Sequence, residues 1–396
     1  MSDTRKTTKP NVPNLRFPGF EGEWEECTFG ECCSGFDYGM NAASKPFDGE
    51  HKYIRITDID ENTSAYKEDG VVSPDADIDE HYRVKENDIL FARTGASTGK
   101  TYLYDPKDGR LYYAGFLIRM NVSPQNDSRF VFYQTQTQRY KKWVQIMSMR
   151  SGQPGINSQE YSSFHFFLPK RKEQERIAEL LSLFDQRVGI QNKVIEDLKK
   201  LKSAFCEKMY DESNPNTRLA DIIEQQSIRN KAGEDLKVLS VSNRYGFVEQ
   251  SEQFEDRTVA SEDTSNYKIV ALNDFAYNPA RINVGSIARL KNFENGIVSP
   301  MYICFRCKGS VLPEFLEPFF STKYFSLEMG KRLEGSVRMC LSFEGLCNIP
   351  INIPSYEEQI ETAKKVNALS EKLRLEESYS ILLSAQKEYI LSQMFI

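Results

Sequence analysis

The feature that most constrains the fold of this chain is an internal repeat, each copy of which ends in a heptad-patterned segment. Residues 169–210 align with residues 354–395 at a constant offset of 185. A period of this length is too long for a solenoid repeat. The chain is therefore predicted to be a tandem of two domains, each followed by a long helix. The identical pairs are Pro169/Pro354, Glu173/Glu358, Gln174/Gln359, Ala178/Ala363, Leu198/Leu383, Lys202/Lys387 and Met209/Met394, and upstream Lys52/Lys237, Tyr82/Tyr267 and Phe130/Phe315.

Both predicted helices carry a coiled-coil seam, in which core positions recur at alternating steps of four and three. Parallel pairing in register would place Lys202 against Lys387, a costly like-charge contact. We therefore expect an antiparallel intramolecular coiled coil that brings Gln191 near Glu376. The alternative is two unrelated amphipathic helices, each packed on its own domain. The first seam is Ile177, Leu181, Phe184, Val188, Gln191, Ile195, Leu198, Lys202, Phe205 and Met209, and the second is Thr362, Val366, Leu369, Leu373, Glu376, Ser380, Leu383, Lys387, Ile390 and Met394.

The expected fold class is α+β, with two tandem mixed α/β domains. Predicted segments are a disordered tail over 1–14, a first domain over 15–168, a first helix over 169–212, a second domain over 213–353 and a second helix over 354–396. Strands are predicted at 53–56, 88–92, 100–104 and 117–122, and near 238–241, 274–277, 286–290 and 301–306. Residues 129–149 are predicted to form one basic amphipathic helix.

Composition limits the compartment and the partners. No apolar run reaches the length of a membrane span, and the N-terminal tail lacks the apolar core of a signal peptide, so a cytoplasmic protein is expected. Eight scattered cysteines fit reduced thiols. A net charge of −6 argues against a nucleic-acid partner if taken alone. Nucleic-acid binding depends on local patches, however, and Arg139, Lys141 and Lys142 make one stretch basic.

Motifs that could indicate catalysis are incomplete. Residues 95–101 read GASTGKT, but a phosphate-binding loop needs glycine where Thr94 stands, and the motif does not recur in the second half. Asn278 and Pro279 begin a methyltransferase-like motif that lacks its second proline and its aromatic residue. Cys304 and Cys307 lack a second closely spaced ligand pair, so no metal site is predicted. We expect no catalytic residues.

Loop residues of the first half suit DNA binding. Small residues beside Arg93 leave N–H donors exposed to a phosphate backbone. The segment 150–155 carries an arginine, which pairs with guanine, and a glutamine, which pairs with adenine; its counterpart is 334–338. For any one of these residues the alternative is an ordinary surface turn. The predicted DNA-binding residues are Arg93, Thr94, Ser97, Thr98, Lys100, Arg150, Ser151, Gln153, Asn243, Arg244, Arg281, Asn283 and Arg338.

Four motifs in order resemble the specificity subunits of type I restriction–modification systems. They are residues 15–24 (LRFPGFEGEW), residues 93–100, the pattern from Leu168 to Ala178 that contains Glu173 and Gln174, and residues 392–396 (SQMFI). The resemblance covers essentially the whole chain. The second half departs from it, because Thr362 occupies a seam position and the Thr-Gly-Ala-Ser stretch is lost.

This resemblance implies that each domain recognises one half of a bipartite, interrupted DNA sequence, with the helices as a spacer. It further implies docking of two methylation subunits and optionally two restriction subunits. Those partners would perform N6-adenine methylation and ATP-dependent cleavage and would bring S-adenosylmethionine, ATP and magnesium, while this chain would bind no cofactor. The alternatives are a stand-alone restriction or methyltransferase enzyme and a coiled-coil scaffold without a DNA role.

Overall fold

The computed structural model describes residues 11–149, 154–210, 215–243, 245–250, 264–335 and 338–396. It divides into unit 1, Met1–Lys193 with Ser378–Ile396, and unit 2, Val194–Glu377. Each unit combines short strands and helices with parts of both long helices, which confirms the α+β class. Within the described ranges, no helix has both the length and the apolar character of a membrane span.

The first half contains most of unit 1. Its strands are β1 (Glu25–Thr28), β2 (Cys33–Tyr38), β3 (Ser44–Pro46), β4 (Lys52–Ile54), β5 (Val72–Pro74), β6 (Asp88–Ala92), β7 (Thr101–Leu103), β8 (Leu111–Tyr113), β9 (Leu117–Val122) and β10 (His165–Leu168). Its helices are α1 (Ser128–Gln134), α2 (Gln138–Ser148), α3 (Ser158–Ser162) and the long α4 (Arg171–Met209), with 3-10 turns at Ile56–Asp58, Glu80–Tyr82, Gly95–Ser97 and Pro106–Asp108.

The second half contains most of unit 2. Its strands are β11 (Thr217–Arg218), β12 (Ile223–Gln226), β13 (Val238–Ser242), β14 (Gly246–Glu249), β15 (Lys268–Ala271), β16 (Phe275–Tyr277), β17 (Ile287–Arg289), β18 (Asn295–Val298), β19 (Ile303–Cys307) and β20 (Pro350–Ile351). Its helices are α5 (Leu219–Ile222), α6 (Pro313–Phe319), α7 (Lys323–Gly330), α8 (Phe343–Cys347) and the long α9 (Tyr356–Met394), with a 3-10 turn at Ile282–Val284.

The repeat seen in the sequence recurs in the strand order of the two units. Unit 1 has an antiparallel sheet of order β2-β9-β6-β7, and unit 2 has the matching order β12-β19-β16-β17. Each unit also has a two-stranded antiparallel sheet before its long helix, β1-β10 in unit 1 and β11-β20 in unit 2. The other sheets differ: β3-β5 and β4-β8 are separate pairs, whereas β14-β13-β18-β15 is one four-stranded sheet. The two halves therefore share the central sheet and the two-stranded sheet and diverge in the others.

Local sequence predicted the central strands well and the following helix less well. The predicted strands over 88–92 and 117–122 coincide with β6 and β9. The single helix expected over 129–149 is wrong, because α1 and α2 are separate helices. Asp127 caps α1, and the Thr137 hydroxyl accepts a hydrogen bond from the Tyr140 N–H (3.2 Å) to cap α2. A side-chain cap of this kind starts a new helix where a periodic pattern alone would continue the old one.

Two buried glutamines at equivalent repeat positions form hydrogen bonds between the long helices and their domains. The Gln174 Oε1 accepts a hydrogen bond from the Asp127 N–H (2.8 Å), at the N-cap of α1. The Gln359 Oε1 accepts one from the Leu312 N–H (2.9 Å), at the N-cap of α6. Both side chains are at most 2% exposed. The identity of this pair in the repeat therefore reflects the same buried contact made twice.

The first and last motifs of the family resemblance, residues 15–24 and 392–396, lie together in unit 1. Arg16 donates two hydrogen bonds of 2.8 Å to the buried carboxylate of Glu173, and the Trp24 Nε1 donates a third (3.4 Å). The Trp24 ring lies edge-on to Phe395, which stacks on Phe130 at 5.1 Å. The Leu15 N–H donates to the Gln393 carbonyl (2.9 Å). At the end of the segment expected to be disordered, the Asn11 carbonyl accepts from the Trp24 N–H (2.8 Å).

The long helices run antiparallel, as expected. In unit 1, Asp185 forms an ion pair with Lys387, and the Ser380 hydroxyl lies 3.2 Å from the Asn192 Oδ1. In unit 2, Lys199 pairs with Glu377 at 2.7 Å. Every predicted seam position is buried or half-buried. Gln191 and Glu376 lie in different units, and their pairing stays a prediction.

Candidate nucleic-acid interface

One edge of the central sheet in unit 1 collects the predicted DNA-binding residues of the first half. Because neighbouring strands are antiparallel, the ends of β2 and β6 lie beside the beginnings of β7 and β9. Residues 93–100 form the loop between β6 and β7. This loop joins two strands, whereas a nucleotide-binding phosphate loop leads from a strand into a helix.

The β6–β7 loop is held by two buried tyrosines. The Tyr161 hydroxyl donates to the Ala92 carbonyl (2.7 Å), and the Tyr140 hydroxyl donates to the Gly99 carbonyl (3.2 Å). Burial raises the pKa of both hydroxyls, so both remain protonated donors. Gly99 has φ +89°, and a Cβ there would lie 2.5 Å from the Val144 Cγ1 of α2. The loop is thus positioned by the domain core.

Arg93 begins this loop with its guanidinium 4.7 Å above the ring of Tyr38. The Tyr38 hydroxyl accepts a hydrogen bond from the Ser158 N–H (3.2 Å), and this bond together with the Arg93 charge lowers the pKa of Tyr38. Among the residues that the structure describes, the buried Arg93 Nε has no hydrogen-bond partner. Arg93 is therefore oriented by stacking on Tyr38.

The structure brings two predicted DNA-binding segments of unit 1 together. Thr94 forms a β-bridge with Gly155, and the Gly95 N–H donates to the Pro154 carbonyl (3.0 Å). The β6–β7 loop therefore lies beside the chain that follows residue 153. The predicted residues Arg150, Ser151 and Gln153 lie outside the described residues.

Three other predicted residues of the β6–β7 loop differ in their partners. The Thr98 hydroxyl donates to the Gly95 carbonyl (2.7 Å) inside the turn. The Lys100 ammonium pairs with Glu61 (2.6 Å), and its hydrogen bond lowers the pKa of that carboxyl. Ser97 is half-buried within the 3-10 turn. Thr98 and Lys100 thus already make protein contacts, and Arg93 remains the loop cation with an unused donor.

Unit 2 builds the corresponding edge from equivalent elements. The loop between β16 and β17 contains Arg281 and Asn283, both exposed, and the Leu341 N–H donates to the Pro279 carbonyl (3.1 Å). This contact places exposed Arg338, three residues before Leu341, near the loop. The Asn243 Nδ2 donates to the Val284 carbonyl (3.3 Å). Asn243, the β16–β17 loop and the chain around Arg338 are therefore neighbours, while Arg244 lies outside the described residues.

Sequence reasoning missed Tyr38, which contacts Arg93, and Ser158, which forms a hydrogen bond with Tyr38. Tyr38 ends β2, and Ser158 begins α3. No spacing signal links them to Arg93, because only the strand order β2-β9-β6 brings the three together. Arg139, part of the stretch identified as basic, donates to the Ile396 carbonyl (3.3 Å) and lies over the Phe167 ring, so it serves the fold of unit 1.

Comparisons with known proteins agree with this architecture. The sequence profile described as the type I restriction modification DNA specificity domain matches residues 22–200. Over these residues, somewhat less than half of the chain, the sequence is similar to the type I restriction modification DNA specificity domain. A specificity subunit of the type I restriction enzyme MjaVIII from Methanocaldococcus jannaschii is 27% identical over 150 residues, 37% of this chain and 34% of that protein. The putative MjaX specificity subunit of the same organism is 28% identical over 133 residues, 33% of this chain and 31% of the relative. The matches thus span about a third of the relatives' length.

Solved structures share the fold over nearly the whole chain. The S subunit of a type I restriction-modification system from M. genitalium superposes with a TM-score of 0.60 at 15% identity, covering 97% of this chain and 99% of that one. A chain from a study of complex assembly and conformational transition in the type I R-M system gives a TM-score of 0.53 at 14% identity, with coverage of 96% and 98%. At these identities the likeness extends to the fold alone.

Proposed function

We propose that this chain is the DNA-sequence specificity subunit of a type I restriction–modification complex, and that each unit recognises one half of a bipartite, interrupted site. The observation that carries the proposal is the recurrence of one loop arrangement in both units. In unit 1 the β6–β7 loop contacts Pro154 and Gly155, and in unit 2 the β16–β17 loop contacts Leu341. Two domains with the same scaffold and different loops suit two unlike half-sites.

We propose that the long helices set the distance between the two half-sites. Each has 39 residues, which corresponds to a length of about 58 Å. Both helices contribute to both units, so the chain has two helical connections between its recognition domains. A connection made of two protein helices bends less than a flexible linker does. We therefore expect the distance between the half-sites to be constant.

We assign DNA methylation and DNA cleavage to partner subunits. We propose that two methylation subunits dock on this chain and bring S-adenosylmethionine for N6-adenine methylation, and that two optional restriction subunits bring ATP and magnesium for cleavage. This chain would be non-catalytic and would bind no cofactor, in keeping with the specificity-subunit names of its relatives. A net charge of −6 suits such a complex, because partners can neutralise much of the DNA phosphate charge. A cytoplasmic location belongs to the same proposal.

A methylome measurement tests the proposal. Native DNA is sequenced with modified-base detection from a host that carries this chain and its methylation partner, and from the same host without this chain. We expect N6-methyladenine at one interrupted motif that disappears on deletion. An unchanged methylome, with the partner shown to be expressed and active, would contradict the proposal and favour a scaffold. Methyl transfer by the purified chain alone would instead indicate a stand-alone enzyme.

A further inference from the structure

Two large apolar side chains stand exposed at equivalent positions of the two units. Phe116 is 64% exposed and Met301 is 60% exposed. They are separated by 185 residues, which is the offset of the internal repeat. Phe116 directly precedes β9, and Met301 lies two residues before β19, the equivalent strand of the equivalent sheet. The chain therefore places an exposed apolar group at the same sheet edge twice.

Each apolar residue lies beside a polar residue that directly follows a central strand. In unit 1 the Arg93 N–H donates to the Phe116 carbonyl (3.1 Å), next to the last pair of the β6–β9 ladder. In unit 2 the Asn278 Nδ2 lies 3.8 Å from the Met301 Sδ. Arginine is the usual partner of guanine in the major groove, and asparagine is a usual partner of adenine. Both units thus combine an apolar residue with a neighbour of a type that pairs with bases, and the Asn278 Oδ1 also accepts a hydrogen bond from the Ala280 N–H (3.1 Å).

Core packing does not explain the exposure. The adjacent residues Leu117 and Tyr302 are 0% and 9% exposed, so their side chains already fill the core at these two points. A single exposed apolar residue is ordinary on a protein surface. Recurrence at one repeat position, in both cases beside a hydrogen-bonding side chain, points to a shared ligand. On the base edges of the major groove, the apolar group available for such contact is the thymine methyl.

We propose that Phe116 and Met301 are specificity-determining residues, each of which contacts a thymine methyl group in the half-site of its own unit. The inference rests on the proposed function and deepens it, because it names the base feature that each unit recognises. It assigns one half-site to Phe116 with Arg93 and the other to Met301 with Asn278.

Motif mapping tests the assignment inside the complete complex. The variants Phe116→Ala and Met301→Ala are each expressed with the methylation partner, and the methylated motif is determined. We expect Phe116→Ala to relax a thymine position in one half-site and Met301→Ala to relax one in the other. Leu272→Ala is the matched control, because Leu272 is 51% exposed and precedes β16, at the edge opposite Asn278. It should leave the motif unchanged.

Base substitution identifies the contacted atom. In a binding assay with the complete complex, each thymine of the mapped site is replaced in turn by deoxyuridine, which lacks only the methyl group. Loss of one buried methyl contact should weaken wild-type binding about fourfold at one position per half-site. Phe116→Ala should lose the sensitivity in its half-site, and Phe116→Leu should keep part of it.

Three results would overturn the inference. These are half-sites without thymine, an alanine variant that still discriminates against deoxyuridine, and a general loss of binding that Phe116→Leu does not restore. The first two would deny the methyl contact, and the third would indicate a purely structural role for Phe116. Failure of the wild-type complex to methylate any interrupted motif would instead overturn the proposed function itself.

Discussion

At the scale of single residues, the candidate interface depends on how Arg93 is oriented. Its guanidinium lies over Tyr38, and its Nε has no partner among the described residues. Stacking on an aromatic ring restricts the rotamers of a long side chain, so less entropy is lost when DNA binds. Lys100, in contrast, is already paired with Glu61. Arg93 is thus the residue of the β6–β7 loop whose loss should cost most.

Arg93→Ala should weaken DNA binding by about 1–3 kcal/mol if Arg93 contacts a base, with relaxed specificity at one position. A phosphate contact would give uniform weakening and a smaller salt dependence. The measurement is binding of the complete complex to duplexes with single base changes, at two salt concentrations. Lys107→Ala removes one charge beyond the far end of β7 and is the matched control. Equal behaviour of the two variants would show that Arg93 makes no DNA contact.

At the scale of elements, the β6–β7 loop is held by side chains of the helices behind it, Tyr140 and Val144 of α2 and Tyr161 of α3. Gly99 makes this dependence testable, because its φ is +89° and Val144 of α2 leaves no room for a Cβ. Gly95 in the same loop also has positive φ, +75°, but has no atom within 4 Å of an added Cβ. Comparing substitutions at the two glycines therefore distinguishes the effect of backbone strain from the effect of packing against Val144.

Gly99→Ala should cost about 1–3 kcal/mol of unfolding free energy more than Gly95→Ala, because only the former overlaps a neighbour. Urea unfolding of the purified variants measures the difference. Adding Val144→Ala to Gly99→Ala should recover part of the loss. If both single variants were equally stable, α2 would not hold the loop.

The long helices offer a second test at this scale. Leu181 lies on the seam and is 0% exposed, whereas Leu183, two residues later, is 56% exposed. Leu181→Ala should destabilise the chain by about 2–5 kcal/mol, since it leaves a cavity in the core of unit 1. Leu183→Ala should change stability by less than about 0.5 kcal/mol. Similar losses for both, measured by urea unfolding, would contradict the heptad assignment.

At the scale of the whole molecule, the repeat separates a shared scaffold from divergent surfaces. The central sheets have the same strand order, and Gln174 and Gln359 make the same buried contact. The β3-β5 and β4-β8 pairs of unit 1 and the β14-β13-β18-β15 sheet of unit 2 differ. A chain built in this way should accept exchange of its recognition domains, because the buried glutamine contact between each domain and its long helix is common to both halves.

A chain in which residues 213–353 are replaced by a second copy of residues 15–168 should methylate a site with two identical half-sites. Its own first half-site should appear twice, in inverted orientation, because the helices run antiparallel. The methylome of a host expressing this chain with the methylation partner measures the outcome. The control is the parental chain in the same host. A motif that keeps the original second half-site would refute the assignment of one half-site to each domain.

The sequence alone predicted the tandem α+β organisation and the antiparallel helices. The internal repeat predicted the tandem organisation, and heptad spacing with the like charges at Lys202 and Lys387 predicted the antiparallel helices, since periodicity and charge act locally along a helix. The strands over 88–92 and 117–122 also followed from local pattern. The division into α1 and α2 did not, because the Thr137 cap interrupts a continuous periodicity.

Only the tertiary structure decided the composition of the candidate interface. Tyr38, Arg93, Phe116 and Ser158 are distant in sequence and meet because β2, β9 and β6 are neighbours in one sheet. The pairing of Lys100 with Glu61 likewise depends on the fold. Pattern reasoning identifies which residue types can bind DNA, whereas the pairing of strands determines which of them are free to do so.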